Sequence, residues 1–168
     1  MNKDSLTEKL QKIRFLHDIG PMHLEQIATI SRIREVKNGE VIFRQGDPAQ
    51  YVYLVASGSV SLEICAAGAG CRQILTLSPG ELLGWSSVLE QLSYTARARA
   101  VSDTRLVEIN IEQLLALCSR DPQFGFALMR QVAIALAKRL SATRMQLLDV
   151  YGDDLPVIPL AVEAGHAQ

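Results

Sequence analysis

Between Pro79 and Val101 the chain gathers residue types suited to holding a small anion. Pro79-Gly80-Glu81-Leu82-Leu83-Gly84 opens this segment and Tyr94-Thr95-Ala96-Arg97-Ala98-Arg99-Ala100 closes it. Gly80 allows another group to approach the backbone closely. Gly84 through Leu89 can form one helical turn whose free amides attract an anion, with Ser86 and Ser87 as neutral donors. The plainer alternatives stay open: an ordinary helix start at Ser86-Ser87, and a simple turn at Gly80-Glu81. Strand alternation puts Arg97 and Arg99 on the face of Thr95, opposite position 94, where a solvated strand face is their default role. Trp85, the one tryptophan of the chain, lies inside the segment.

Other site chemistries find little support. A metal-dependent barrel enzyme needs His and carboxylate ligands clustered on adjacent strands. His17 and His23 instead precede the strand-rich region, and His166 is close to the C-terminus. No Ser-His-Asp or Cys-His arrangement is readable, so neither catalysis nor a metal site is expected. Cys65, Cys71 and Cys118 contain no Cys-x-x-Cys pair. Cys65 and Cys71 flank a hairpin loop, but free, buried or half-buried thiols are the expectation. Three scattered cysteines also fall short of the four thiolates of an iron-sulfur cluster.

The elements that must position the segment follow from periodicity. Ser5-Leu6-Thr7-Glu8 reads as a capping box ahead of Leu6, Leu10, Ile13 and Leu16 at helical spacing. Gly20-Pro21 starts a second, short helix. From Ser31 the pattern changes to short β-rich runs: Ile33 and Val36, Val41 and Phe43, Tyr51 to Val55, Val60 to Ile64, and Leu106 to Ile109. Lys37-Asn38-Gly39, Gln45-Gly46-Asp47-Pro48 and Ala56-Ser57-Gly58 punctuate them as turns. Many short strands at close spacing predict a mainly β fold, a jelly-roll barrel over residues 31–109, with helices over 4–29 and 111–151.

Asn110-Ile111-Glu112-Gln113 is a second capping box, and Asp121 with Pro122 is an N-cap followed by a favoured first helical residue. The helix begun there can run unbroken to Tyr151, with Gly152 as its stop, a length of roughly 45 Å. In heptads it puts Phe126, Ala133, Leu140 and Leu147 at one seam position and Met129, Leu136, Thr143 and Val150 at the other. Seven of these eight are apolar. That seam predicts a two-helix coiled coil with a second copy of the chain. Phe124, Leu128, Val132, Ile134 and Leu148 lie off the seam and are free to pack on the barrel. Residues 152–168 read as a tail.

The Pro79–Val101 segment, together with Gly39-Glu40-x-Ile42, Gly46-Asp47, Tyr53-Leu54-Val55 and Gly58-x-Val60 in that order, resembles the cyclic-nucleotide-binding domain family, including the sensor halves of Crp/Fnr-type regulators. The likeness covers about residues 15 to 151. In that family the phosphate-binding cassette opens Gly-Glu-Leu/Ile-Ala/Gly and closes with Arg followed by Ser/Thr and Ala. The resemblance implies that Glu81 accepts from a ribose hydroxyl, that the Leu82 and Leu83 amides face a phosphate, that Thr95 and Ala96 form the pocket wall, and that the helix around Thr143 reaches the purine base. Thr143 bonded to its own helix, or setting coiled-coil register, is the local alternative. Tyr94 stands where the pattern has its arginine, and the stretch from Gly80 to Tyr94 is three or four residues longer than usual.

The resemblance therefore implies a regulatory sensor module for a small anionic ligand, with cAMP or cGMP as atypical candidates, signalling through a dimer helix. A ligand-free dimerisation or protein-interaction module with a degenerate pocket is the alternative. Direct DNA binding is not expected: Asp153-Asp154, Pro156 and Pro159 suit no recognition helix, and Lys+Arg of 17 against Asp+Glu of 18 gives a net charge of -1 rather than a basic stripe. The output then passes to a separate, unidentified protein partner. With 48% hydrophobic residues but no apolar run of membrane-spanning length, a cytoplasmic protein without membrane attachment is expected.

Overall fold

A computed structural model describes residues 3–85 and 93–151, with side chains from Leu6 onward. Helix α1 spans Lys3–Gln11, so it begins two residues before the predicted Ser5 cap. A 3-10 turn, Arg14–Leu16, and helix α2, Pro21–Thr29, follow; Pro21 occupies the first turn of α2, where its missing N–H costs nothing. Eight strands come next: β1 Ser31–Val36, β2 Val41–Phe43, β3 Tyr51–Ser57, β4 Val60–Ala66, β5 Gly70–Leu77, β6 Leu82–Leu83, β7 Arg97–Ala100 and β8 Thr104–Asn110. Helices α3, Ile111–Arg120, and α4, Pro122–Tyr151, complete the described chain.

The strands form two antiparallel four-stranded sheets, β1-β8-β3-β6 and β2-β7-β4-β5. The expected barrel is thus a jelly-roll sandwich whose sheets are not closed. Alternation supplies the layers. Val36, Tyr53, Val55 and Leu106 of the first sheet meet Phe43, Val60, Leu77, Ala98 and Ala100 of the second in one buried core. Val52, Leu82 and Ile109 point from the opposite face of the first sheet to Phe15, Leu16, Ile27, Leu114 and Leu128 of the helices. The glycines of the predicted turns supply positive φ, as at Gly46 (88°) and Gly58 (84°). At Gly58 a β-carbon would also fall 2.5 Å from the Asp103 carbonyl oxygen, so no other residue fits.

Both predicted caps at the end of the sandwich are present. The Asn110 side chain accepts from the Gln113 N–H at 3.0 Å, and Asp121 Oδ1 accepts from the Gln123 and Phe124 N–H groups at 3.1 and 3.0 Å. Asp121 also bonds His23 Nε2 at 2.8 Å while the His23 ring stacks on Phe124, tying α2 to the start of α4.

The chain divides into two compact units, Met1–Ala135 and Leu136–Gln168. In the first, Phe124, Leu128 and Val132 are buried as predicted, whereas the seam residue Phe126 is 73% exposed and Ala133 is exposed too. In the second, Leu140, Leu147 and Val150 are exposed, Thr143 with them, and Leu136 is half-buried. Leu148 is exposed rather than packed, because residues 141–151 bury no side chain at all. No helix among the described residues is long and apolar enough to cross a membrane.

Candidate functional site

Tyr94 is the centre of the candidate site. It follows an isolated bridge between Ser93 and Pro48, and its peptide group is held on both sides: its N–H donates to the Asp47 carbonyl at 3.0 Å, and its carbonyl accepts from the Gly46 N–H at 2.8 Å. The Arg44–Asp47 turn that grips it is itself closed by Asp47 Oδ2, which accepts from the Arg44 N–H at 2.9 Å. This mounting aims the ring between the sheets, where it is 4% exposed and stacks on Phe43 at 3.8 Å between centroids, nearly parallel. The hydroxyl donates to the Tyr51 carbonyl oxygen at 2.7 Å and accepts from the Tyr51 N–H at 3.4 Å. Burial pushes the Tyr94 phenol above its ordinary value, and Tyr53 beside it further still for the same reason. Tyr94 is therefore neutral and built into the core.

The structure does not bring Glu81 to Tyr94. Glu81 closes its own turn: its N–H donates to the Ser78 carbonyl at 3.2 Å and its Oε2 accepts from the Ser78 N–H at 2.7 Å. The Gly80 N–H and Glu81 carbonyl pair with Val55 at the far end of β3, and a β-carbon on Gly80 would meet Arg14. Val55 and Tyr51 are four residues apart on β3, about 13 Å. Leu82 and Leu83 lie between these ends, paired with Leu54 and Tyr53, with both side chains buried in the two apolar layers. They belong to the sheet ladder.

The glycine that does touch Tyr94 is Gly84. At φ 78° it leaves room for the ring: a β-carbon there would sit 3.2 Å from Tyr94 Cε1 and 3.3 Å from the Tyr51 carbonyl oxygen. Gly84, followed by the half-buried Trp85, is thus the glycine of the opening segment that lies against Tyr94. Counted from Gly84, the stretch to Tyr94 is four residues shorter than from Gly80. Sequence reasoning missed this because Gly80-Glu81-Leu82 matches the motif by letters. The signal that could have corrected it was the loop-length anomaly. Ser86 and Ser87 lie outside the described residues. Thr95 is exposed and Ala96 half-buried in the bend just ahead of β7.

Arg97 and Arg99 face away from Tyr94 as alternation predicts, yet they are not a free solvated face. Arg99 Nε and Nη2 donate to Glu63 Oε1 at 2.8 and 2.5 Å, and Arg97 Nε lies 3.4 Å from Glu63 Oε2 as an ion pair without hydrogen-bond alignment. Glu63 is 3% exposed and also accepts from Ser61 Oγ. Burial raises the Glu63 pKa, but the Arg99 and Ser61 hydrogen bonds and the charges of both arginines outweigh it and hold the carboxyl below its ordinary range. Neither arginine replaces the one absent at position 94.

Inside the sandwich the charges belong to the other sheet. Glu108, 2% exposed, pairs with Arg32 Nε and lies 3.7 Å from Arg34 Nη1. Arg34 also donates to the Ile42 carbonyl at 3.4 Å, and the Arg32 guanidinium sits over the Tyr51 ring. Through the Arg32 guanidinium over Tyr51, which is itself tilted against Tyr53, this ion pair adjoins the aromatic cluster. Its trace in the sequence was a carboxylate at the same parity as Leu106 in the otherwise apolar run Leu106–Ile109.

Cys65 and Cys71 are joined as a disulfide across the β4–β5 hairpin, against the expectation of free thiols. They are directly opposed in the ladder, a register that composition could not supply. Cys118 alone is free, and burial pushes its thiol up. Among the described residues no group of three or more His, Cys, Asp or Glu side chains could hold a metal ion.

Two antiparallel four-stranded sheets that do not close on each other define a jelly-roll sandwich. The family model of the cyclic nucleotide-binding domain matches residues 33–121, just over half of the chain, and the protein belongs to that family. It is 36% identical over 131 residues to the Cyclic AMP receptor protein of Thermus thermophilus, covering 78% of this chain and 59% of that protein. The structure of the Thermus thermophilus Catabolite Activator Protein superposes with a TM-score of 0.66 at 34% identity, over 83% of this chain and 63% of that one. A cyclic nucleotide-binding domain from Methylobacillus flagellatus shares the fold, with a TM-score of 0.74 at 17% identity over 95% of this chain and 86% of that one. The chain thus spans less than two thirds of the length of these Thermus regulators.

Proposed function

We propose that the protein is a regulatory module of the Crp/Fnr sensor type that pairs through α4 with a second copy, acts on a separate protein partner, and carries an aromatic plug where its relatives' cassette motif carries a phosphate anchor. The observation behind this reading is the Tyr94 ring, buried against Phe43 and bonded to both backbone groups of Tyr51. A cyclic nucleotide in the pose the family motif implies needs a carboxylate for its ribose hydroxyl and a cation for its phosphate. Trp85 and Tyr94 offer neither. Each charge-assisted bond is worth roughly 1.5–3 kcal/mol, so losing both weakens that pose by about 10²- to 10⁴-fold. The plug accordingly makes the module one that does not depend on cAMP or cGMP at micromolar concentration.

Titration calorimetry and thermal shift with cAMP and cGMP test this. The wild type should give neither heat nor a shift up to millimolar nucleotide, and Trp85→Glu with Tyr94→Arg should gain both. Micromolar binding by the wild type would overturn the reading. Retention of DNA at low salt by the purified chain would overturn the assignment of output to a protein partner.

A second reading is a small anionic ligand admitted when the Tyr94 ring rotates, with Arg34, 3.7 Å from the buried Glu108, as its cation. A ligand-induced thermal shift that is present in the wild type and lost in Arg34→Gln would select it.

A further inference from the structure

We propose that Cys65 and Cys71 form a reversible thiol–disulfide exchange site at the tip of the β4–β5 hairpin, with low-molecular-weight thiols as its reactants and Arg97 holding the departing thiolate. Three independent placements carry this. The two cysteines are directly opposed in the hairpin register with Cα atoms 4.0 Å apart, so their thiols are within bonding reach of each other. Cys71 is exposed and Cys65 half-buried, so a small thiol in solution reaches the pair. Arg97, from the neighbouring strand β7, puts Nη1 3.4 Å from Cys71 Sγ. Its Nε lies 3.4 Å from Glu63 Oε2 as an ion pair, and Glu63 is itself held by Arg99 and Ser61. A guanidinium beside a sulfur favours its thiolate and makes it the better leaving group.

The chemistry balances with thiols alone. A small thiolate attacks Cys65 Sγ; the Cys65–Cys71 bond breaks and its electron pair goes to Cys71 Sγ, which departs as a thiolate beside Arg97. A second small thiolate then attacks the sulfur added to Cys65 and leaves with it as the small-molecule disulfide. The freed Cys65 thiolate takes a proton from solvent. The sheet survives the cycle, because backbone pairing from Val60–Leu77 to Ala66–Gly70 closes the hairpin with or without the sulfur bond. Cys118, half-buried and with its thiol pushed up by burial, is an internal control.

The test uses the full chain equilibrated in buffers of stepped reduced-to-oxidised glutathione ratio at millimolar total concentration, read by differential alkylation and mass spectrometry. Cys65 and Cys71 should pass together from bridged to doubly alkylated, with Cys118 unlinked throughout. A pair bridged at every ratio, or open at every ratio, overturns the proposal. The reduction rate should fall about 3- to 10-fold in Arg97→Gln and recover in Arg97→Lys; an unchanged rate in a folded Arg97→Gln overturns the role of Arg97. Cys65→Ser checks that role without touching the arginine. It leaves Cys71 alone beside Arg97, with Glu63 behind, and the alkylation midpoint of Cys71 should lie below the ordinary cysteine value of about 8.5. A midpoint at or above that value refutes the stabilised thiolate.

Discussion

Replacing Tyr94 measures how far the candidate pocket is filled by the protein itself. Tyr94→Phe keeps the ring and its stack on Phe43 but removes the hydroxyl that donates to the Tyr51 carbonyl at 2.7 Å and accepts from the Tyr51 N–H. Two neutral hydrogen bonds lost at a buried site cost about 1–3 kcal/mol together, a drop in Tm of roughly 2–12 °C for a domain of this size. Tyr94→Ala removes the ring as well. With the side chain 4% exposed and packed face to face at 3.8 Å, the cost is that of a large aromatic deleted from a core, about 3–5 kcal/mol. Against a total stability of about 5–15 kcal/mol, this is a fall in Tm of roughly 6–20 °C. Urea denaturation followed by circular dichroism supplies the free energies, and calorimetry the melting temperatures. A Tyr94→Ala protein within about 0.5 kcal/mol of the wild type would mean the ring lies over a hollow, and the plug would have to be abandoned in favour of an open ligand site.

Other perturbations reach different parts of the argument. Gly84→Ala puts a β-carbon at φ 78° and 3.2 Å from the Tyr94 ring, so it should destabilise by at least about 1–2 kcal/mol and alter Trp85 emission; a neutral result would break the link between Gly84 and Tyr94. Glu63 is held below its ordinary carboxyl value in the folded chain. Its contribution is therefore complete above the unfolded pKa and lost as pH falls through the lower, folded one. Glu63→Gln should flatten that part of the acid limb and, with both arginines left about a third exposed, cost towards the lower end of the roughly 3–5 kcal/mol for a broken buried pair. Leu140→Lys with Leu147→Lys places charges at two exposed seam positions, so sedimentation should show a dimer in the wild type and a monomer in the variant; equal masses would remove the coiled-coil reading.

The sandwich was readable because its signals are local. Glycines at 39, 46 and 58 mark the turns, Asn110 and Asp121 mark helix starts, and alternation separates the two faces of β7. What escaped sequence reasoning depends on register between strands distant in the chain. Glu63 meets Arg97 and Arg99 only because β4 pairs with β7, and Cys65 faces Cys71 only because β4 and β5 pair with one fixed offset. A one-residue slip would put either set on the opposite face. The placement of Glu81 escaped for a related reason. The letters Gly-Glu-Leu occur at residues 80–82, but their carboxylate is spent on the turn amide of Ser78, and the glycine beside Tyr94 comes four residues later.

Both peptide groups of Tyr94 are clasped by the Arg44–Asp47 turn, and this gives position 94 the properties of a rigid socket. A socket of that kind separates two things that evolution usually has to change together, the path of the chain and the chemistry offered to a guest. Exchange of the side chain at 94 can change what fills the interior while its backbone bonds to Gly46 and Asp47 stay in place. Specificity within such a scaffold can therefore drift by single substitutions, without any redesign of the sheets that carry them.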